Sequence, residues 1–462
     1  MRRKLAHLAL LPVLAVGLGL GGCLGQRDAE TVTVLASWTG AEEASFRQVL
    51  DAFEEQYDVE VDYRGTRAVR QILLAEVQKG SAPDVAVLPT LSEMAAYLRR
   101  GVLRPLDGDP RSSMSPQWRR LAQLNEGDGL DVVPIKADLK SLVWYVPGRV
   151  PFGAAGPPRS WEALVETSES LAQAGRTPWC LGMSATPGSG WPGTDWIEDI
   201  LLHRSGVDTY DAWSAGRLGW TSPEVRAAWD AWGKLVGSKG MVRGGSPAAL
   251  LTEFTDAGKP MFTNQPGCFF EHQASFVIGM RAGYLEDEPG GAIRAADVLG
   301  ADYFPFPTFD GAGNDGGGGR RDGSMASADF AGLFSDKPAA RRLIEFLATD
   351  EAQRIWQESS AGSFFSVNRD VRPGDGGEPG SADKRPEVTR RIAETLTASP
   401  SPLCLDASDV MPAEMANAFQ HAVLEYLQNP ERLDPLLGHL EQVRADTGPD
   451  EWLPGACGGG PE

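Results

Sequence analysis

The sequence predicts an α/β fold of two or three domains, and two observations carry that prediction. Between Thr31 and Arg100, strand-like segments alternate with segments whose apolar residues recur at helical spacing. Such alternation is typical of a parallel sheet covered by helices. The chain has 462 residues, a length at which two or three domains are expected. Ligands of open α/β sheets lie beyond the carboxyl ends of the strands, so Trp38-Thr39 and Pro89-Thr90 are predicted to border a ligand site.

Predicted strands and helices alternate at the start of the chain, and further helices are predicted in its last third. Strands are predicted at residues 31–38, 59–63 and 83–88, and helices at 46–57, 71–79, 91–100, 338–358, 411–427 and 432–443. Residues 132–146 form a long β-rich stretch that carries Asp138 and Lys140 among apolar neighbours. A long strand with embedded charges favours a crossover between two lobes, and the Pro-limited segment 302–307 favours a second one.

The first 22 residues are interpreted as an export signal. A basic start (Met1-Arg2-Arg3-Lys4) precedes an apolar run at 5–20, and Gly21-Gly22 precede Cys23. This order is typical of a cleaved signal peptide and resembles the signal of bacterial lipoproteins, in which the Cys becomes the lipidated first residue. Ordinary secretion with a chance Cys is the alternative. We expect residues 23–30 to be a tether at the extracellular face of the cell membrane.

Charge and cysteine content limit the partners. The formal net charge is −20, which disfavours nucleic acid and anionic lipid as partners. Besides Cys23 the chain has four cysteines, and in an exported protein these suggest two disulfides with three possible connectivities. We favour Cys180–Cys268 and Cys404–Cys457. Their spacing does not fit a zinc site, so no metal or cofactor is expected.

A tryptophan-rich stretch begins a further helix. Trp191 follows Gly190 in a Gly/Pro-rich loop, and Trp196 and its apolar neighbours then recur at helical spacing. We expect Gly193 or Thr194 to be the N-cap of this helix. A loop of this kind can display an indole beside carboxylates, which suits the apolar face and the hydroxyls of a sugar. Packing of Trp191 in the core is the alternative.

Six segments, taken in order, carry a family resemblance: residues 34–40, 83–89, 137–145, 190–196, 271–276 and 348–353. They resemble the extracellular solute-binding proteins of sugar ABC importers, in particular those for α-glucosides and related disaccharides. The resemblance implies a two-lobe, periplasmic-binding-protein-like (type II) fold with hinge crossovers. Its expected lobes are 31–140 with 303–347, and 142–300 with 350–462. Residues 311–319 and 372–385 depart from the family as insertions.

The resemblance also implies a sugar cleft between the lobes. The candidate aromatic platforms are Trp38, Trp191, Trp196 and Phe365. The candidate polar groups are Thr39, Glu42, Arg67, Asp84, Asp138, Lys140, Asp195, His272, Asp329 and Asn368. Structural roles are open alternatives: Asp84 as a brace of its strand, Trp196 and His272 as core residues, and Lys140 with Asp138 as a surface ion pair.

The function implied is that of a receptor that captures a sugar and delivers it to a membrane permease driven by a separate ATPase subunit. We expect a monomer without catalytic residues. One alternative is a glycosidase, which needs two carboxylates about 5–10 Å apart. The other is a receptor of the same fold for a peptide or a metal chelate.

Overall fold

The computed structural model of the chain describes residues 30–106, 114–122, 124, 131–154, 156–287, 292–310, 322–373 and 385–457. Cys23, the expected signal segment, the loop at 311–319 and most of the loop at 372–385 lie outside these residues. Within the described part of the chain, no helix combines the length and the apolar character needed to cross a membrane.

Nine strands and eighteen α-helices form the described fold. The strands are β1 Glu30–Ala36, β2 Val59–Gly65, β3 Val85–Leu88, β4 Val132–Leu139, β5 Leu142–Tyr145, β6 Phe270–His272, β7 Asp302–Pro305, β8 Ser324–Leu333 and β9 Leu403–Leu405. The helices are α1 Ala41–Tyr57, α2 Val69–Lys79, α3 Leu91–Arg99, α4 Pro116–Leu121, α5 Trp161–Gln173, α6 Trp191–Ser205, α7 Val207–Ser214, α8 Pro223–Val236, α9 Gly245–Leu251, α10 Phe254–Ala257, α11 Val277–Asp287, α12 Ala295–Leu299, α13 Pro338–Leu347, α14 Asp350–Ser359, α15 Arg385–Ala398, α16 Ala407–Val410, α17 Ala413–Gln428 and α18 Leu433–Asp446. The α/β class predicted from the sequence is confirmed.

The larger sheet has the strand order β2-β1-β3-β8-β4, with β9 paired to β8. Strands β1, β2 and β3 are parallel, as the strand–helix alternation at the start of the chain predicts. The sheet as a whole is mixed, because β8 runs antiparallel to both β3 and β4. β8 enters this sheet from far along the chain, so local alternation could not reveal its direction.

The smaller sheet has the order β6-β5-β7 and is antiparallel throughout. The chain passes from the larger to the smaller sheet between β4 and β5, and returns between β7 and β8. It enters the larger sheet again at β9, and α17 beyond it packs against α6. Tyr303 lies in the smaller sheet, and Trp356 packs against Trp38 beside the larger one. The lobe boundaries themselves stay a prediction.

The long strand expected at 132–146 is broken in its middle. β4 ends at Leu139 and β5 begins at Leu142, so this connection between the two sheets consists of Lys140 and Ser141. The backbone N–H of Lys140 donates to the carbonyl of Met325 in β8 at 2.8 Å, which fixes this connection to the larger sheet. The charged side chain of Lys140 therefore lies where the two sheets meet.

Helix α6 begins three or four residues earlier than the sequence indicates. Its N-cap is Gly190, with φ of 105°, and Trp191 is the first helical residue. Gly193 and Thr194 were expected to cap the helix but lie inside it, because Pro192 is tolerated in the first turn. Gly193 is required there for packing, since a Cβ at this position would approach Val423 Cγ1 to 2.3 Å.

Both favoured disulfides are confirmed. Cys180–Cys268 joins the segment before α6 to the segment before β6, and Cys404–Cys457 joins β9 to the end of the described chain. Each bond therefore links segments that are distant in sequence, which restricts the unfolded chain.

Candidate functional site

A cavity of about 420 Å³ lies where the two sheets meet. One wall comes from the larger sheet and its helices, through Trp38, Thr90 and Asp329. The facing wall comes from α6 and its neighbours, through Trp191 and Phe254. A concave site with aromatic side chains and a few polar groups is the usual form of a small-molecule site.

Half of the predicted site residues line this cavity. They are Trp38, Glu42, Arg67, Asp138, Lys140, Trp191 and Asp329. They come from segments as distant as residues 38 and 329, and the fold brings them together at the carboxyl ends of β1 and β3 and at the β4–β5 connection. Their contact with a ligand stays a prediction.

The wall of the larger sheet carries paired charges. Lys136 Nζ lies 2.7 Å from Asp138 Oδ2 and 3.8 Å from Asp329 Oδ2. Ser275 Oγ donates to Asp138 Oδ1 at 2.7 Å. Burial raises the pKa of Asp329 to about 6, although the positive charge of Lys136 opposes the shift. These carboxylates are held in fixed positions, which suits hydrogen bonding to ligand hydroxyls.

An ion pair lies at the rim of the same wall. Arg67 Nη2 lies 2.6 Å from Glu42 Oε2, and both side chains are partly exposed. α1 and the segment before α2 supply the two residues. Because each group fixes the other, they present a pre-arranged donor and acceptor set at the cavity entrance.

Trp191 forms the aromatic part of the facing wall. Its ring centroid lies 4.9 Å from that of Phe254 and 6.0 Å from that of Phe276, both in edge-to-face orientation. Lys140 Nζ lies 5.4 Å from the indole centroid. The indole stays partly exposed although its neighbours in the first turn of α6 are buried. It is therefore available to stack on the apolar face of a sugar ring.

A buried ionic cluster lies beneath Trp191. Lys140 Nζ contacts Asp195 Oδ1 at 3.0 Å and also contacts Asp406 Oδ2. Burial alone would lower the pKa of Lys140, but the two carboxylates outweigh burial and raise it well above its ordinary value. Lys140 and the Ser408 hydroxyl overcome burial at Asp406 and lower its pKa to about 2.

The pKa of Asp195 is shifted in the opposite direction to that of Asp406. Burial raises the pKa of Asp195 to about 8, and the neighbouring charge of Asp406 adds to the effect of burial. Lys140 opposes the shift, but Asp406 already carries the negative charge that pairs with its ammonium group. Burial and the charge of Asp406 therefore favour the neutral form of Asp195, whereas Lys140 favours the charged form of Asp406.

Three predicted site residues lie elsewhere in the fold. Asp84 precedes β3 and braces the opposite end of the sheet, where Oδ2 accepts from Thr33 N and from Lys337 Nζ, both at 2.9 Å. Phe365 is buried, and its carbonyl accepts from Ala137 N of β4. Asn368 is buried and donates to Asp350 of α14. None of the three lines the cavity.

Four further predicted residues lie behind or beside the wall. Trp196 is 1 % exposed, and its ring lies 4.5 Å from that of His272. His272 is buried, with Nε2 2.7 Å from Asp199 Oδ2. Asp195 acts through Lys140, and Thr39 follows Trp38 without lining the cavity. The structure places Trp196 and His272 in the core, which was the alternative to a binding role for these two residues.

The structure also adds cavity residues that sequence reasoning missed. Lys136 could have been found, because it alternates with Asp138 and so shares its face of β4. Asp406 and Asp409 follow the three-residue strand β9, which has no clear sequence signature. No group of His, Cys, Asp or Glu suited to hold a metal ion occurs among the described residues.

Known proteins with a similar sequence or fold are solute-binding proteins. A family model described as bacterial extracellular solute-binding protein matches residues 37–354. The chain is 31% identical over 421 residues to the alpha-glucosides-binding periplasmic protein AglE of Rhizobium meliloti (strain 1021), covering 88% of this chain and 86% of that protein. It is 29% identical over 416 residues to the osmoprotective compounds-binding protein GgtB of Synechocystis sp. (strain ATCC 27184 / PCC 6803 / Kazusa), covering 88% and 90%.

A solved structure supports the fold. A chitin oligosaccharide binding protein superposes with a TM-score of 0.71 at 16% identity, covering 91% of this chain and 99% of that one. At this identity the likeness concerns the two-lobe fold alone. The family match covers more than half of the chain, and the relatives are binding proteins rather than enzymes. The chain therefore belongs to the family of bacterial extracellular solute-binding proteins.

Proposed function

We propose that this protein is the receptor of a carbohydrate ABC importer and that it captures an α-glucoside-type disaccharide between its two lobes. One observation carries the proposal: a partly exposed indole, Trp191, faces fixed carboxylates across a cavity of about 420 Å³. Indole stacking combined with hydroxyl-binding carboxylates suits a sugar better than a peptide or a metal chelate.

The dimensions of the cavity support a small oligosaccharide. Small-molecule sites commonly measure about 300–1,000 Å³, and this cavity falls toward the lower end of that range. The names of two similar proteins, one for alpha-glucosides and one for osmoprotective compounds, agree with a small polar ligand. The sugar class is part of the proposal.

Capture would operate through the connections between the sheets. A ligand that contacts both walls binds the closed arrangement better than the open one, and this difference in affinity shifts the population toward closure. The closed receptor then docks on membrane permease subunits, which a separate ATPase subunit drives. The proposal includes export by a signal at residues 1–22, a lipid anchor at Cys23 on the extracellular side of the membrane, and a monomeric receptor.

A thermal-shift panel tests the proposal. The purified protein is heated with maltose, sucrose or trehalose, and with glucose, a basic dipeptide and ferric citrate as non-cognate ligands. A ligand that binds only the folded state raises the melting temperature by mass action. We expect at least one disaccharide to raise it and the dipeptide and the chelate to leave it unchanged. A shift with the dipeptide or the chelate, and none with any sugar, would contradict the proposal.

A further inference from the structure

Asp409 presents a carboxyl group to the cavity that forms no hydrogen bond or ion pair in the described part of the chain. It lies in α16, lines the cavity and is partly exposed. Its backbone N–H donates to Asp406, but its own side-chain oxygens take part in no hydrogen bond or ion pair among the described residues. An acceptor group left open at a cavity wall is available to a ligand.

The cations of the cavity wall form their ion pairs with other carboxylates. Arg67 pairs with Glu42, Lys136 with Asp138, and Lys140 with Asp195 and Asp406. Arg70, the remaining cation lining the described cavity, pairs with Glu93 of α3. Each cation is therefore ion-paired with another carboxylate, and Lys140 and Arg70 act on Asp409 through their charge without forming an ion pair with it.

The hydroxyl of Thr90 is a second polar group of the cavity wall that lacks a hydrogen-bond partner among the described residues. It is the N-cap residue of α3, yet its side chain makes no capping hydrogen bond. A threonine at this position ordinarily accepts from the first turn of the helix. Thr90 is 5 % exposed, lines the cavity, and has no hydrogen-bond partner for Oγ1 among the described residues. A buried hydroxyl without a partner is rare and calls for a ligand or a water.

The two groups lie on neighbouring elements. α16 packs against α3, so Asp409 and the N-cap residue Thr90 belong to one region of the cavity wall. Burial, reinforced by the negative charge of Asp406, raises the pKa of Asp409 well above its ordinary value. Hydrogen-bond donors from a ligand would stabilise the ionised form of Asp409.

We propose that Asp409 and Thr90 form a hydroxyl-binding pair that determines which sugar this receptor accepts. The inference rests on the proposed function and deepens it. Stacking on Trp191 depends little on which positions of a sugar ring carry hydroxyls. A carboxylate, in contrast, accepts hydrogen bonds from hydroxyls at particular positions. The ligand class is a sugar with a free hydroxyl, or two adjacent ones, directed at Asp409.

Calorimetric titration of variants tests the pair. The probes are whichever of maltose, sucrose and trehalose raises the melting temperature most, and the monodeoxy derivatives of that sugar. The variants are Asp409→Asn and Thr90→Val, and the matched control is Asp51→Asn, on the exposed side of α1. We expect Asp409→Asn to weaken binding about 10- to 100-fold and Thr90→Val about 2- to 10-fold, with Asp51→Asn unchanged.

The deoxy sugars separate a direct contact from a structural effect. At least one deoxy derivative should bind the wild type about 10-fold or more weakly, and that difference should largely disappear in Asp409→Asn. Melting temperatures of the unliganded variants serve as the folding control. Because the Asp409 carboxylate has no partner and lies near Asp406, its replacement by neutral Asn should not lower the melting temperature.

The outcomes distinguish the two proposals. If Asp409→Asn binds the disaccharide and every deoxy derivative as tightly as the wild type does, the hydroxyl-binding pair is overturned. The proposal of a sugar receptor then still stands. Wild-type affinity of Thr90→Val would remove Thr90 and so overturn the pair as stated. A wild-type protein that binds none of the three disaccharides would overturn both proposals.

Discussion

Replacement of Trp191 by Ala is the most informative single change in the cavity. The indole is the first residue of α6 and stays partly exposed at the wall, where Phe254 and Lys140 support it. Ala at this position keeps the helix, because Pro192 and Gly190 still set its start. The substitution therefore removes a stacking surface from the cavity without removing a hydrogen bond of the described structure.

The expected loss of affinity depends on how much of the Trp191 indole is available to a ligand. Truncation of an aromatic side chain at a binding site costs about 1–3 kcal/mol. One part of the Trp191 ring already contacts Phe254 and Phe276, so only the remainder is available to a sugar. We expect the lower half of that range, about 1–2 kcal/mol, which corresponds to a Kd raised about 5- to 30-fold.

Isothermal titration of the tightest-binding disaccharide measures this change. The matched control is Trp452→Ala, since Trp452 is also partly buried but packs against Gly216, away from the cavity. Both variants should lose stability through lost packing, and only Trp191→Ala should lose affinity. Equal Kd values for Trp191→Ala and the wild type would refute the assignment of the indole to the binding site.

Three further predictions concern stability and location. The pKa of Asp195 is raised, so the stability it contributes is complete below its ordinary pKa and is lost as pH rises through about 8. The melting temperature should fall over that interval, and less steeply in Asp195→Asn; an equal slope in both proteins would contradict the pKa assignment. Replacing Cys404 and Cys457 together by Ser should lower the free energy of unfolding by about 2–4 kcal/mol, seen as a lower melting temperature than that of the wild type in the same oxidising buffer. Cys23→Ser should move the protein from the membrane fraction to the soluble fraction of cells, and its retention on membranes would exclude the lipid anchor.

The fold could be predicted from sequence wherever local periodicity decides it. The parallel strands β1 to β3 follow from alternation within the first 88 residues. The antiparallel entry of β8 depends on pairing with β3 and β4 across more than 180 residues, and local patterns carry no information about it. The sequence predicts too late a start for α6, because Pro192 and Gly193 suggest a loop, although proline is tolerated in a first turn and this glycine is needed for packing.

The site could be predicted only in part, because local sequence does not show how distant elements pack. Lys140 and Trp191 stand out because a charge in an apolar strand and an indole in a Gly/Pro loop are locally unusual. Trp196 and His272 stand out equally in the sequence, but the fold places them in the core behind the wall. Asp409 has no unusual local context, and its importance appears only when α16 is packed against α3.

The most direct test of the central claim is calorimetric titration of the wild-type protein with maltose, sucrose and trehalose, followed by chromatography of the recovered sugar. We predict saturable binding of at least one disaccharide with one site per protein molecule, and recovery of that disaccharide intact. Recovery of monosaccharides would indicate a glycosidase, and the absence of binding by all three disaccharides would contradict the proposed receptor.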